Sequence, residues 1–137
     1  MVEASERKRE RRILIVDDDR LLAETLRAMV ADIAQFELGV RVAIEVVTSG
    51  REAARLLDGG ARLDAVICDL SMPGIDGLAL YEGLVARRSP LAQRFVLVTG
   101  GAFTPATVNS LASHSVPRLQ KPFDSVELGA LLRPLLS

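Results

Sequence analysis

Five short aliphatic runs recur along this chain, each followed by a stretch with helical spacing, and that alternation leaves few folds open. Ile13-Leu14-Ile15-Val16 ends at Asp17-Asp18-Asp19, Val42 to Val47 is rich in β-branched residues, and Ala65-Val66-Ile67-Cys68 ends at Asp69. Phe95-Val96-Leu97-Val98 ends at Thr99, and a short run from Val116 to Gln120 leads to Lys121-Pro122. Runs that are apolar at every position suit strands covered on both faces, as in the middle of a parallel sheet. Between them, Leu22, Leu26, Met29, Val30 and Ile33 recur at helical spacing and predict an amphipathic helix over 20–35. Ser49 with Glu52 predicts a capped helix to Leu57, stopped by Gly59-Gly60. Further helices are predicted from Leu78 to Arg88, from Thr104-Pro105 to Ser113, and onward from the Asp124/Glu127 capping pair. Strands alternating with helices of these lengths predict an α/β fold: a doubly wound parallel sheet, right-handed crossovers, helices on both faces.

The 137 residues suit one compact domain, read as 12–137, preceded by a tail or linker over 1–11. A formal net charge of -1 gives no overall pull toward nucleic acid or an anionic membrane. No apolar run approaches the roughly 20 residues that span a bilayer, so no membrane span is expected. The polar N-terminus lacks a signal-peptide core, and a single cysteine, Cys68, forms no internal disulfide. A cytoplasmic, reducing setting is the simplest reading. Arg7, Lys8, Arg9, Arg11 and Arg12 crowd together without aromatic residues to stack on bases. They read as a solvated tail or a helix arriving from upstream, with no nucleic-acid partner on this chain.

In a doubly wound sheet, ligands bind beyond the carboxyl ends of the strands. The residues there are Asp17, Asp18, Asp69, Thr99 and Lys121. Clustered carboxylates repel unless a cation joins them or some take up protons. Oxygen ligands without His or Cys point to a hard cation, and Mg²⁺ fits. Asp18 and Asp69 are expected as direct ligands, Asp17 through water, and the Ser71 carbonyl completes the protein share. Asp69 is also the candidate nucleophile toward phosphorus. Lys121, the only lysine outside the tail, suits pairing with Asp69 or a phosphoryl oxygen. Thr99 offers a hydroxyl and Gly100 an N–H to the same group. Gly74, Gly77, Gly100 and Gly101 keep the walls of the site low. Asp19 reads as a helix cap, Asp76 as turn chemistry, His114 as a surface or capping residue, and Cys68 as a small core residue.

These residues carry a resemblance. Val16-Asp17-Asp18, Cys68-Asp69, Met72-Pro73-Gly74-Ile75-Asp76-Gly77, Val98-Thr99-Gly100 and Lys121-Pro122 together resemble the response-regulator receiver family, over 12–136. The resemblance implies five parallel strands in the flavodoxin-like order 2-1-3-4-5. It implies Mg²⁺ at the acidic pair and acceptor, and phosphoryl transfer from a histidine on a sensor kinase or phosphotransfer protein. By that match Asp69 is the acceptor, Asp17 and Asp18 the acidic pair, Thr99 the switch hydroxyl and Lys121 the phosphate partner. Family members often carry an aromatic residue three positions before the lysine, where this chain has Arg118. Phe103 or Arg118 is therefore the expected reporter of state. Ser71 and Gly101 are weak water-positioning groups, so slow to intermediate self-dephosphorylation is expected. Thr99 to Pro105 resembles receivers fused to hybrid sensor histidine kinases. Output is then expected through phosphorelay or partner binding. Arg118, Asn109 and His114 leave open a weak homodimer through the last strand and helices.

The reading is a phosphoacceptor switch and not an enzyme acting on other molecules. Two rivals use the same residues. A Mg²⁺-dependent phosphohydrolase or nuclease would need a further acid or base and a basic groove. A receiver-shaped binding module that takes no phosphate would have no use for the complete set.

Overall fold

A computed structural model describes residues 9–100 and 105–137, so Gly101, Phe103 and Thr104 lie outside the described residues. The chain runs β1 (Arg11–Val16), α1 (Arg20–Asp32), β2 (Val42–Val47), α2 (Gly50–Asp58), β3 (Ala65–Asp69), α3 (Gly77–Ala86), β4 (Phe95–Thr99), α4 (Pro105–Ala112), β5 (Arg118–Gln120) and α5 (Ser125–Leu136). Every strand pairing is parallel, in the order β2-β1-β3-β4-β5. The expected fold class and strand order are both met.

Strand alternation splits the core into two layers. Leu14, Val16, Val66, Cys68, Phe95 and Leu97 meet α2, α3 and α4 through residues such as Ala53, Leu57, Leu80, Leu84 and Leu111. Ile13, Ile15, Ala65, Ile67, Val96 and Val98 meet α1 and α5 through Ala23, Leu26, Val30, Leu128 and Leu132. This two-sided burial is why the strands read as unbroken aliphatic runs. Cys68 is a fully buried core residue, as expected.

The helix starts follow from side-chain caps. Asp19 accepts from the N–H groups of Leu21 and Leu22, Ser49 from Glu52, Asp76 from Ala79 and Asp124 from Glu127. Each satisfies donors that the first helical turn leaves unpaired.

Several boundaries differ from the sequence reading. β1 takes in Arg11, one residue inside the tail as read, because its backbone pairs with Val42 of β2; its buried guanidinium also donates to the Leu136 carbonyl at 3.0 Å. Arg9 also belongs to the folded body, bonding both Asp64 carboxylate oxygens at 3.2 and 3.1 Å. α1 does not stop at residue 35 but widens into a π-helical segment, Ile33–Leu38, closed by Gly39 at φ 64°. α3 ends at Ala86, two residues short of Arg88, whose φ of 54° cannot continue a right-handed helix. An unforeseen 3₁₀ turn, Pro90–Arg94, enters β4 with Ser89 as its cap. β5 begins at Arg118 and not Val116, since Pro117 has no N–H for the sheet ladder.

Candidate functional site

β1 lies between β2 and β3, so the chain leaves it in one direction for β2 and returns past it to β3. The crevice at that reversal lies outside the carboxyl ends of β1 and β3. Asp17 and Asp18 follow β1 directly and Asp69 ends β3. One carboxylate oxygen from each lies within 4.8 Å of the others. Asp17 has the strand parity of Ile13 and Ile15, and Asp69 that of Ala65 and Ile67, so both carboxylates project on the α1/α5 side.

Local hydrogen bonds hold the acidic pair in place. The Asp17 N–H donates to the Val47 carbonyl at 3.2 Å, and Asp17 Oδ1 accepts from the Asp19 N–H at 2.9 Å. Asp17 Oδ2 is buried with no hydrogen-bond partner. Asp18 is exposed at the mouth of the crevice. Asp19 turns away to cap α1, as its sequence reading had it, whereas Asp76, read as turn chemistry, caps α3.

Asp69 is buried, and its loop is fixed on both sides. The Leu70 N–H donates to the Val98 carbonyl at 2.9 Å, and the Gly77 N–H to the Leu70 carbonyl at 3.1 Å. A Cβ on Gly77 would overlap the Asp69 carbonyl oxygen and press on Leu97, so only glycine lets α3 start this close to the strand end. Lys121 reaches over from β5, with Nζ 3.5 Å from Asp69 Oδ1. Its own N–H donates to the Thr99 carbonyl at 2.7 Å, and the peptide bond to Pro122 is cis. A Cβ on Gly100 would lie 3.2 Å from Lys121 Cδ, so the missing side chain leaves the lysine stem its path.

Thr99 ends β4 at the same end of the sheet. It is buried, with the parity of Phe95 and Leu97, which face the α2/α3/α4 side. Ser71 follows Asp69 by two residues and lines the crevice.

Burial raises the affinity of Asp17 for a proton, and the neighbouring charges of Asp18 and Asp19 add to it; the Asp19 N–H and Lys121 oppose. Asp69 is likewise raised by burial first, then by Asp17 and Asp18, against Lys121. Burial, with Asp69 and Asp17 nearby, pushes the Cys68 thiol well up, so it stays protonated and inert. Raised carboxylates, an all-oxygen donor set and an orphaned buried oxygen together fit a hard divalent cation. With the cation charge in place, a carboxylate beside one ammonium can attack phosphorus and the incoming negative charge is offset.

The crevice continues as a cavity of about 580 Å³. Asp17, Asp69, Ser71, Gly100 and Lys121 form its polar end. Leu22, Leu26 and Met29 of α1, with Pro122 and Phe123 after β5, form an apolar wall. Sequence reasoning took the α1 stripe only as the mark of an amphipathic helix and gave Phe123 no role. Helical spacing located the stripe, but nothing local tells a buried face from one that borders a cavity.

The Arg118 guanidinium donates to the Leu111 carbonyl at 2.7 Å, tying β5 to the end of α4. His114 stands edge-on to Tyr81 with ring centroids 5.2 Å apart, and its Nε2 lies 3.3 Å from Glu82.

Comparison with known proteins shows the family and the fold. The family model of the response regulator receiver domain matches residues 13–133. The transcriptional regulatory protein FixJ of Azorhizobium caulinodans is 31% identical over 124 residues, covering 89% of this chain and 53% of the relative. The response regulator MprA of Mycolicibacterium vanbaalenii is 34% identical over 125 residues, covering 91% of this chain and 50% of the relative. The chain thus spans about half the length of the curated relatives it matches. Among solved structures, the signal receiver domain of a signal transduction histidine kinase from Syntrophus aciditrophicus superposes with a TM-score of 0.72 at 33% identity, covering 91% of this chain and 89% of its own. The receiver domain of sensor histidine kinase PA1611 from Pseudomonas aeruginosa PAO1, with magnesium coordinated in its active site cleft, gives a TM-score of 0.72 at 24% identity, covering 94% of this chain and 100% of its own.

Proposed function

The chain belongs to the response regulator receiver domain family, the phosphoacceptor switches of two-component signalling, and from that premise we propose that Asp69 is its phosphoacceptor. The observation that carries the proposal is the gathering of Asp17, Asp18 and Asp69 within 4.8 Å, with Asp17 Oδ2 buried and unpartnered and Lys121 alongside. The PA1611 receiver domain holds magnesium in its cleft, and the same ion suits this donor set. Asp18 and Asp69 would hold it directly, Asp17 through water, and the Ser71 carbonyl would complete the protein share. Bound there, it would supply charge neutralisation for the phosphoryl oxygens.

The chain's own residues do the rest. An Asp69 oxygen forms the new bond to phosphorus while the donor's leaving group departs with its electron pair. Lys121 draws the phosphoryl charge toward Asp69. Thr99, on the neighbouring strand end, would offer its hydroxyl to a phosphoryl oxygen. The donor would be a histidine of a sensor kinase or phosphotransfer protein, in the cytoplasm. Output would follow from the added charge biasing the α4–β5 surface, where Arg118 ties helix to strand.

Incubation with Mg²⁺ and acetyl phosphate followed by intact mass measurement tests the assignment. A labile single-phosphoryl adduct is expected, absent in Asp69→Asn. An adduct that persists in that variant would move the acceptor elsewhere. Decay of the same adduct reads self-dephosphorylation, proposed to be slow to intermediate because Ser71 is a poor water-positioning group.

A further inference from the structure

The corner that joins β2 to α2 touches both walls of the acidic crevice. The Val47 carbonyl accepts the Asp17 N–H at 3.2 Å. Shortly after it, Gly50 opens α2, with Ser49 as the cap. Gly50 is buried, and a Cβ there would overlap the Ile75 carbonyl oxygen and lie 3.0 Å from the Ile75 Cβ. Ile75 belongs to the β3–α3 loop, the segment that begins beside Asp69 and carries Ser71. Backbone hydrogen bonds anchor that loop at its ends, Leu70 to Val98 and Gly77 to Leu70. Among the described residues, no hydrogen bond holds the stretch from Ser71 to Ile75 between them. Packing fixes it instead: Met72 is buried in the α2/α3/α4 layer, and Ile75 lies against Gly50.

We propose that Gly50 is a positioning residue for the cation and sets the preference of the site for Mg²⁺ over Ca²⁺. The inference rests on Asp17, Asp18, Asp69 and the Ser71 carbonyl being the ligands of that cation. Gly50 acts on them through the backbone. Because it has no side chain, α2 starts hard against the Ile75 carbonyl, and Ser71 is held earlier in the same loop. An added Cβ would meet a backbone oxygen, which cannot rotate aside as the end of a side chain can. Either the loop or the β2–α2 corner must then shift. Each borders the crevice, the loop through Ser71 and the corner through the Val47 bond to Asp17. Mg²⁺ demands near-octahedral geometry, whereas Ca²⁺ accepts variable coordination. A displaced carbonyl or carboxylate therefore costs Mg²⁺ more than it costs Ca²⁺.

Mg²⁺ and Ca²⁺ are titrated separately into the full chain, and backbone amide NMR shifts around Asp69 report each affinity. In Gly50→Ala, Mg²⁺ affinity is expected to fall roughly tenfold, the size of effect that losing a supporting contact around a metal site produces. Ca²⁺ affinity should fall about twofold or less, because its coordination adapts. Leu57→Ala removes core packing from the other end of the same helix and controls for stability alone. Its urea midpoint should drop while both affinities stay at the parent values. Ile75→Gly frees the loop without any overlap and is expected to lower the ratio of Mg²⁺ to Ca²⁺ affinity in the same direction. It carries the test if Gly50→Ala does not fold. An unchanged ratio in Gly50→Ala, or in Ile75→Gly where it stands in, overturns the inference. So does an equal fall of the ratio in Leu57→Ala. In these cases the parent chain still binds Mg²⁺ and the cation site stands. A parent chain that binds neither ion overturns the cation reading and this inference with it.

Discussion

Asp17 combines two properties that normally exclude each other: it is buried, and one of its carboxylate oxygens has no partner. Such a group costs stability when ionised. Its folded pKa is raised, so its favourable contribution is fully present below the ordinary carboxylate value of about 3.9 and is lost as pH rises through the folded value. Without a divalent cation the chain therefore carries a penalty at neutral pH that the ion would remove. Asp17→Asn removes the buried charge and leaves the position polar. In EDTA at neutral pH the variant is expected to melt about 3 °C higher than the unmodified chain. That difference should shrink as pH falls toward 4, and the variant should lose its stabilisation by Mg²⁺. A thermal melt series in EDTA and in Mg²⁺ measures all three. The glycine at position 100 acts by absence, since any side chain would crowd the stem of Lys121.

At the scale of elements, the site depends on how closely α3 starts behind β3. Asp76 caps the helix, and Gly77 lets its first residue lie against the Asp69 carbonyl. Gly77→Ala forces one of the two to move and is expected to cost about 2 kcal/mol. Urea titration gives the stability, and the acetyl phosphate adduct should form more slowly because the acceptor is displaced. If stability falls and the adduct rate does not, the helix start and the acceptor are not coupled. The caps at Asp19, Ser49 and Asp124 were legible in sequence because a cap is a local arrangement of a few residues, while Asp76 was read only as a turn. The π-helical end of α1 was not, since no nearby residue distinguishes it from an ordinary last turn.

At the scale of the whole molecule, the pole opposite the carboxylates is tied together by arginines. Arg9 pairs with Asp64, Arg11 reaches the Leu136 carbonyl, and Arg94 reaches the Leu135 carbonyl. Asp64 also accepts the Arg12 N–H at 2.9 Å. Burial alone would raise Asp64, but Arg9, the Arg12 N–H and Arg62 bring it below the ordinary value. A lowered carboxylate contributes stability that is present above its unfolded pKa and lost as pH falls through the folded one. Asp64→Ala is expected to cost about 2 kcal/mol at neutral pH, part of it the Arg12 N–H left without its acceptor. The gap between variant and parent should narrow below about pH 4, read from urea midpoints across a pH series. This is opposite in sign to Asp17, so acid should ease one pole of the molecule while loosening the other.

The order of strands and helices, most helix caps and the residues at the strand ends were all legible before any coordinates. Those are consequences of local periodicity and of short-range hydrogen bonding, and they persist whatever the chain packs against. The strand order owed more to family resemblance than to periodicity, because alternation alone fits several doubly wound sheets. Packing of the layers set which sheet face Asp17, Asp69 and Thr99 turn to, and that Arg118 reaches Leu111. It also decided that Leu22, Met29 and Phe123 border a cavity. Each of these joins residues distant in sequence, and such contacts are set by how layers pack on a twisted sheet.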